Sequence, residues 1–180
     1  MLQKIAKPLV LFTALALPLT ALGNLNSPEG AAVAFDASGP GGLKIEGKTS
    51  ELRLADDGTT VTITVPLSNL DTGIGLRNKH MREKYLEVGK FPNAVLAVPK
   101  AQLKFPEGET SGGSAQGTMS IHGKSRPVTF SYKARKVGEK LAINGSVPLN
   151  INDFGIEVPS YLGVTVKPDI TVRAAFTASP

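Results

Sequence analysis

Through most of this chain, apolar and polar residues alternate with period two, as expected of strands that bury one face. Val61, Ile63 and Val65 alternate with Thr60, Thr62 and Thr64 and predict a half-buried strand. Ala115, Gly117, Met119 and Ile121 share one parity, and so do Val128, Phe130, Tyr132 and Ala134. His122-Gly123-Lys124 lies between those two runs and predicts a hairpin. Leu141, Ile143, Val147, Leu149 and Ile151 form a further run. Asn144-Gly145 inside it favours a turn, but the parity is unchanged across the pair, which argues for a continuous strand. Val164, Val166, Ile170, Val172, Ala174 and Phe176 share one parity near the C-terminal end, with Pro168 expected at a bulge or edge. Toward the other end, Val33 and Phe35 predict a first strand. Leu43 and Ile45 begin a second, and the parity then shifts to Leu52 and Leu54. Asp56-Asp57-Gly58 predicts a hairpin turn, because Asp-Gly readily supplies positive φ. Residues 95–105 predict a long strand or a strand with a bulge at Pro99, and residues 106–113 a polar loop.

The alternation fails between residues 69 and 92, NLDTGIGLRNKHMREKYLEVGKFP. Asp71-Thr72-Gly73 breaks the preceding strand, and Ile74, Met81, Tyr85 and Val88 fall at helical spacings. Asn78 is the expected N-cap, since its side chain can accept from a free first-turn N–H. Gly89 is the expected residue after the helix, and Pro92 prevents continuation. A short helical insertion at about 72–88 follows.

Roughly eight strands joined mostly by hairpin-length turns make an all-β domain. An up-and-down antiparallel barrel is the economical arrangement, because closure removes exposed edges; an open sandwich is the alternative. A barrel of this strand number either fills with side chains or holds one small ligand. The inward candidates here are mostly Val, Ala and Gly, and aromatic residues make up only 6% of the chain, which favours a cavity.

Composition narrows the setting. Lys4 and Lys7 precede an apolar run, 9–22, that ends in Ala21-Leu22-Gly23, the pattern of a secretory signal. The run is too short for a membrane span and contains Pro18. Cleavage after Gly23 is therefore expected, leaving one domain at 24–180 in the periplasm with no integral membrane span. The absence of cysteine rules out a lipid-anchored leader and any disulfide. The formal charge of +5 comes from scattered Lys and Arg with no Trp, which does not argue for nucleic acid.

No catalytic constellation is visible. With two histidines and no cysteine, a structural zinc site is not expected. Gly108–Gly117 is glycine-rich but lacks the Gly-Lys-Ser/Thr ending of a phosphate loop, and G-x-S-x-G is absent. No metal, nucleotide or other cofactor is expected, nor an enzyme. His80 reads as a helix-surface residue before it reads as a head-group contact, and His122 as a hairpin-tip residue. Arg77 and Arg82 present fixed guanidinium forks that suit a carbonyl, carboxylate or phosphate at a cavity mouth. Pairing with Asp71 or Glu83 is the slightly favoured reading.

The pattern D-T-G-x-x-x-R-N-x-H-M-R-x-x-Y-L-x-V-x-K-F-P at 71–92 resembles the crossing segment of the YceI-like family of periplasmic lipid-binding proteins. Residues 117–128, GTMSIHGKSRPV, are similar to that family's G-x-L-T-I-x-G-x-T-x-x-V hairpin, with Met119 at the Leu position. Asn152-Asp153-Phe154-Gly155-Ile156 is similar to its R-x-D-F-G-I turn but lacks the arginine. The resemblance implies a lipocalin-like barrel that holds a long isoprenoid or fatty-acid-like chain, with the helical segment over one end. Val61, Ile63, Val65, Val128, Phe130, Val147, Val164 and Val172 are then the candidate walls. Met81, Tyr85 and Phe91 would close one end, and Arg77 and His80 would meet a head group. The competing expectation is a filled barrel serving as a stress-response or protein-interaction module. A homodimer is possible in either case.

Overall fold

The computed structural model describes residues 25–161 and 163–179; the expected signal segment at 1–23 lies outside the described residues. Nine antiparallel strands form one curled sheet. In chain order they are β1 (Asn26–Ser38), β2 (Lys44–Thr49), β3 (Arg53–Asp56), β4 (Thr60–Pro66), β5 (Asn93–Pro99), β6 (Thr110–Ile121), β7 (Lys124–Val137) and β8 (Lys140–Asn150), with the last sheet strand, Asp169–Ser179, numbered β11. Two short strands, β9 (Ser160–Tyr161) and β10 (Val164–Thr165), pair as a separate hairpin before it. The spatial order is β2-β1-β11-β8-β7-β6-β5-β4-β3, so every neighbour except β1–β11 and β11–β8 is joined by direct succession or by one connecting segment.

The parity readings hold strand by strand. Val61 on β4, Ala115 and Met119 on β6, Phe130 and Ala134 on β7, and Leu141, Val147 and Leu149 on β8 are all buried. β8 runs unbroken through Asn144-Gly145, which pair with Ala175 and Ala174 of β11. The shift of parity near residue 50 marks the end of β2 and the start of β3.

Three boundaries differ from expectation. Pro99 ends β5 and leads into a 3-10 turn, Lys100–Gln102, because its ring removes a ladder donor. Residues 110–113 are strand, not loop: Gly112 lies against the β7 backbone, and a Cβ there would stand 2.4 Å from the carbonyl oxygen of Tyr132. Val164 belongs to the β9–β10 hairpin and not to the final strand, since Pro168 separates the two.

The curl brings one edge strand, β3, against β1, beside the other edge, without a continuous ladder. Two contacts close this seam. Asp71 and Lys48 exchange both backbone hydrogen bonds at 2.8 Å. At the other end of the barrel, the Leu25 amide donates to Asp56 Oδ2 at 3.1 Å. The same oxygen accepts from Lys100 Nζ at 2.7 Å, with the carboxylate side chain 0% exposed.

Close strand contact constrains Gly117 on β6. A Cβ there would lie 2.8 Å from the carbonyl oxygen of Ala97 on β5, which cannot retreat without disturbing its ladder. Gly117→Ala is expected to lower unfolding stability by about 1–3 kcal/mol, the usual cost of overpacking. Urea denaturation checks it, and an unchanged midpoint would show that β5 and β6 can separate freely there.

Candidate functional site

The segment between β4 and β5 covers one end of the barrel. Helix α1 (Gly75–His80) continues into one π-helical turn, Met81–Tyr85, closed by the Leu86 amide on Met81 O at 2.8 Å. Met81 is buried with Leu67 and Leu70, and Phe35, Leu86 and Val88 pack against them. This apolar face ties the segment to the barrel. Asn78 is not the N-cap: the helix starts after Ile74, and Asn78 instead accepts from the Thr72 amide at 2.8 Å and from Thr72 Oγ1 at 2.7 Å. Its amide nitrogen donates to Asp71 Oδ1. The left-handed residue at the far end is Glu87, at φ 44°, and not Gly89.

Arg77 and Arg82 bond to backbone oxygen and not to a carboxylate. Arg77 Nη2 donates to Thr72 O at 2.6 Å and Nε to Thr72 Oγ1 at 2.8 Å, while Arg82 Nη2 donates to Leu70 O at 3.0 Å. Thr72 is buried, so these bonds satisfy groups that water cannot reach. Arg77→Ala is expected to cost about 1–2 kcal/mol by leaving that carbonyl short of a partner. It should also speed amide exchange in 72–85 more than in β6–β8, as read by hydrogen–deuterium exchange. Uniform protection across both regions would refute the anchoring role.

Beneath this segment lies a cavity of about 750 Å³. Val61, Ile63, Val65, Met81, Tyr85, Phe130, Val147, Val164 and Val172 line it, together with Arg77 and His80. Its wall is nearly all hydrocarbon. Leu96 and Val98 of β5, Ile143 of β8 and Ala174 and Phe176 of β11 continue it, none of them among the candidate walls named from the sequence. Their strand parity was the available signal. The few polar side chains in the wall include Tyr132, whose hydroxyl accepts from the Lys104 amide.

One expected wall residue, Val128, and one residue expected to close the end, Phe91, lie elsewhere. Val128 packs against the buried group that includes Phe154 and Ile156. β7 and β8 stop pairing beyond Ser131 and Ser146, and the 3-10 turn Ile151–Phe154 packs against β7 there. Phe91 stacks edge-on against His122, with ring centroids 4.8 Å apart, and fills the space beside Gly123. Val164, although it lines the cavity, is 42% exposed at its rim.

His122 has more contacts than a hairpin tip requires. It sits at φ 52° in the β6–β7 turn, with Nε2 2.9 Å from Glu87 Oε2 and Nδ1 3.3 Å from Phe154 O. The Lys90 ammonium first, and His122 second, hold the Glu87 carboxyl below its ordinary value. The turn thereby fastens the C-terminal end of the helical segment to the barrel. Contacts across 35 residues of sequence leave no local trace.

Among the described residues, no group of three His, Cys, Asp or Glu is placed to hold a metal ion, and no helix is long and apolar enough to cross a membrane.

The fold and this architecture recur in known proteins. A polyisoprenoid binding domain from Saccharophagus degradans superposes with a TM-score of 0.71 at 14% identity, covering 87% of this chain and 97% of that one. Burkholderia cenocepacia BcnA superposes with a TM-score of 0.68 at 15% identity, covering 83% and 96%. In sequence, a UPF0312 protein of Pseudomonas putida strain F1 is 28% identical over 124 residues, 65% of this chain and 62% of the relative, so the match spans under two thirds of that protein. The model of the YceI-like domain matches residues 25–178, nearly all of the β-barrel built above, and the chain belongs to that family.

Proposed function

We propose that this protein is an exported carrier that holds a long-chain isoprenoid or a similar amphiphilic lipid in its barrel. The cavity carries the reading: about 750 Å³ of space walled almost wholly by hydrocarbon and reached beside an amphipathic helical segment. Each Å² of alkyl or prenyl surface moved from water into such a wall gains roughly 25 cal/mol, so a chain of several isoprene units needs little polar help to bind. The name of the Saccharophagus degradans neighbour, a polyisoprenoid binding domain, points the same way. Binding and not catalysis is the role, and a barrel filled with side chains would leave no comparable space. The periplasm is the compartment that the leader at 1–23 suits.

Mass spectrometry of solvent extracts from the protein purified without detergent tests this. One long-chain lipid per protein, absent from an extract of an unrelated periplasmic protein, is the expected result. An extract free of lipid, together with no uptake of added prenyl chains, would overturn the carrier reading. N-terminal sequencing of periplasmic protein should begin near Asn24; an intact Met1 would refute processing.

A further inference from the structure

The rim of the cavity carries apolar side chains that the fold leaves in water. Ile74 is 53% exposed, Leu76 58% and Val164 42%. All three line the cavity, and Leu43 and Ile45 of the β2 region continue the patch inward. Val137, also exposed, sits at the end of β7 next to the β7–β8 turn and does not line this cavity. Exposed apolar groups gathered at one opening mark a contact surface.

Three lysines stand beside this rim. Lys79 is exposed on α1, Lys44 opens β2 next to Leu43, and Lys167 follows Val166, another lining residue. Register places these elements together: Lys44 pairs with Ser38, and the Lys167 amide donates to Ser38 O at 2.7 Å. Asp71 pairs with Lys48, so the antiparallel chain running on to Ile74 heads toward Lys44. Among the described residues none of these three lysines has a carboxylate partner. Of the acids on these elements, Glu157 is engaged with Lys84, Glu46 with Lys48 and Arg173, and Asp169 with Asn150, while Glu83, four residues beyond Lys79, is exposed and makes no ion pair among the described residues.

We propose that this rim docks on the surface of an anionic phospholipid bilayer, with Ile74, Leu76 and Val164 entering the acyl boundary and Lys44, Lys79 and Lys167 meeting lipid phosphates. Apolar side chains ringed by lysine are the composition of an interfacial membrane contact. The inference rests on the carrier reading and deepens it, since a docked mouth would let a chain pass between bilayer and barrel without crossing water.

Flotation with vesicles of equal phosphatidylglycerol and phosphatidylcholine tests it, alongside uptake of cis-parinaric acid from vesicle-free solution. The protein should float with these vesicles, and more weakly with pure phosphatidylcholine or at high salt. Each of Lys44→Glu, Lys79→Glu and Lys167→Glu should weaken vesicle binding about fivefold while leaving cis-parinaric acid uptake unchanged. Leu76→Asp should weaken vesicle binding about tenfold. No flotation, equal binding to neutral vesicles, or indifference to the lysine changes overturns the proposal. So does a Leu76→Asp variant that loses only self-association, which would make the rim a protein contact. Flotation without fatty-acid uptake supports docking and strikes the carrier reading alone. Uptake without flotation does the reverse.

Discussion

Val147→Phe is expected to leave the ligand-free domain folded and to weaken binding of a fluorescent prenyl or fatty-acid chain about tenfold. Val147 is 5% exposed, on β8 opposite Val172, and its side chain forms part of the cavity wall beside Phe130. In a filled core the larger ring would cost about 1–3 kcal/mol through strain. Here the ring has about 750 Å³ of adjoining space to enter. Stability should therefore change by less than about 1 kcal/mol, as read from urea midpoints at equal slope. The ring would instead occupy volume that the proposed hydrocarbon ligand would need. Denying the chain on the order of 50 Å² of apolar contact removes about 1.3 kcal/mol, close to a factor of ten in affinity. A variant that unfolds, or one that binds lipid as before, would show that this part of the barrel is packed core.

Asp56→Ala is expected to cost about 3 kcal/mol at neutral pH, because it strands a buried ammonium. The Lys100 side chain is only 13% exposed, and Asp56 is its carboxylate partner. Asp56 also accepts from the amides of Leu25 and Gly58, so it ties the start of β1 to the β3–β4 turn across the seam. Burial alone would raise the Asp56 carboxyl; the Lys100 ammonium and the two amides outweigh it and hold the group below its ordinary 3.8. The sign follows from that depression. The unfolded chain takes up a proton at higher pH than the native one, so the stabilisation is present above the unfolded value and is lost as pH falls through the native value. The gap between wild type and variant should thus be wide at pH 7 and narrow toward pH 3. Asp56→Ala combined with Lys100→Met should recover much of the loss, since no unpaired charge remains. A cost independent of pH, or no recovery in the double variant, would refute the ion-pair account.

How much of this was legible in the sequence varies with the range of the interaction. Strand positions were legible because a half-buried strand must alternate, and Val61, Ile63 and Val65 can face inward only together. The break at 69–92 was legible because glycine and proline act locally on the backbone. Its details were not. Asn78 has the chemistry of an N-cap, but Thr72 and Asp71 engaged its side chain first, and Glu87 took the left-handed position that Gly89 was free to occupy.

Parity placed Val128 and Phe130 on the same face of β7, yet only Phe130 reaches the cavity. The difference arises where β8 leaves β7 and the turn at Ile151–Phe154 packs in, an event remote in sequence. Phe91 fell at the end of the apolar stripe and was drawn away by His122 and Gly123. The Asp56–Lys100 and Glu87–His122 pairs join residues 44 and 35 positions apart, and charged residues carry no pattern that names a distant partner.

The all-β architecture, the strand faces and the single helical insertion can be read from the chain alone, because they follow from backbone preference and the burial of one face. That the sheet curls until β3 packs against β1, which seam contacts hold it, and that the enclosed volume stays open were settled in three dimensions. Those outcomes depend on how side chains from many strands add up in space, and no local stretch of the chain contains that sum.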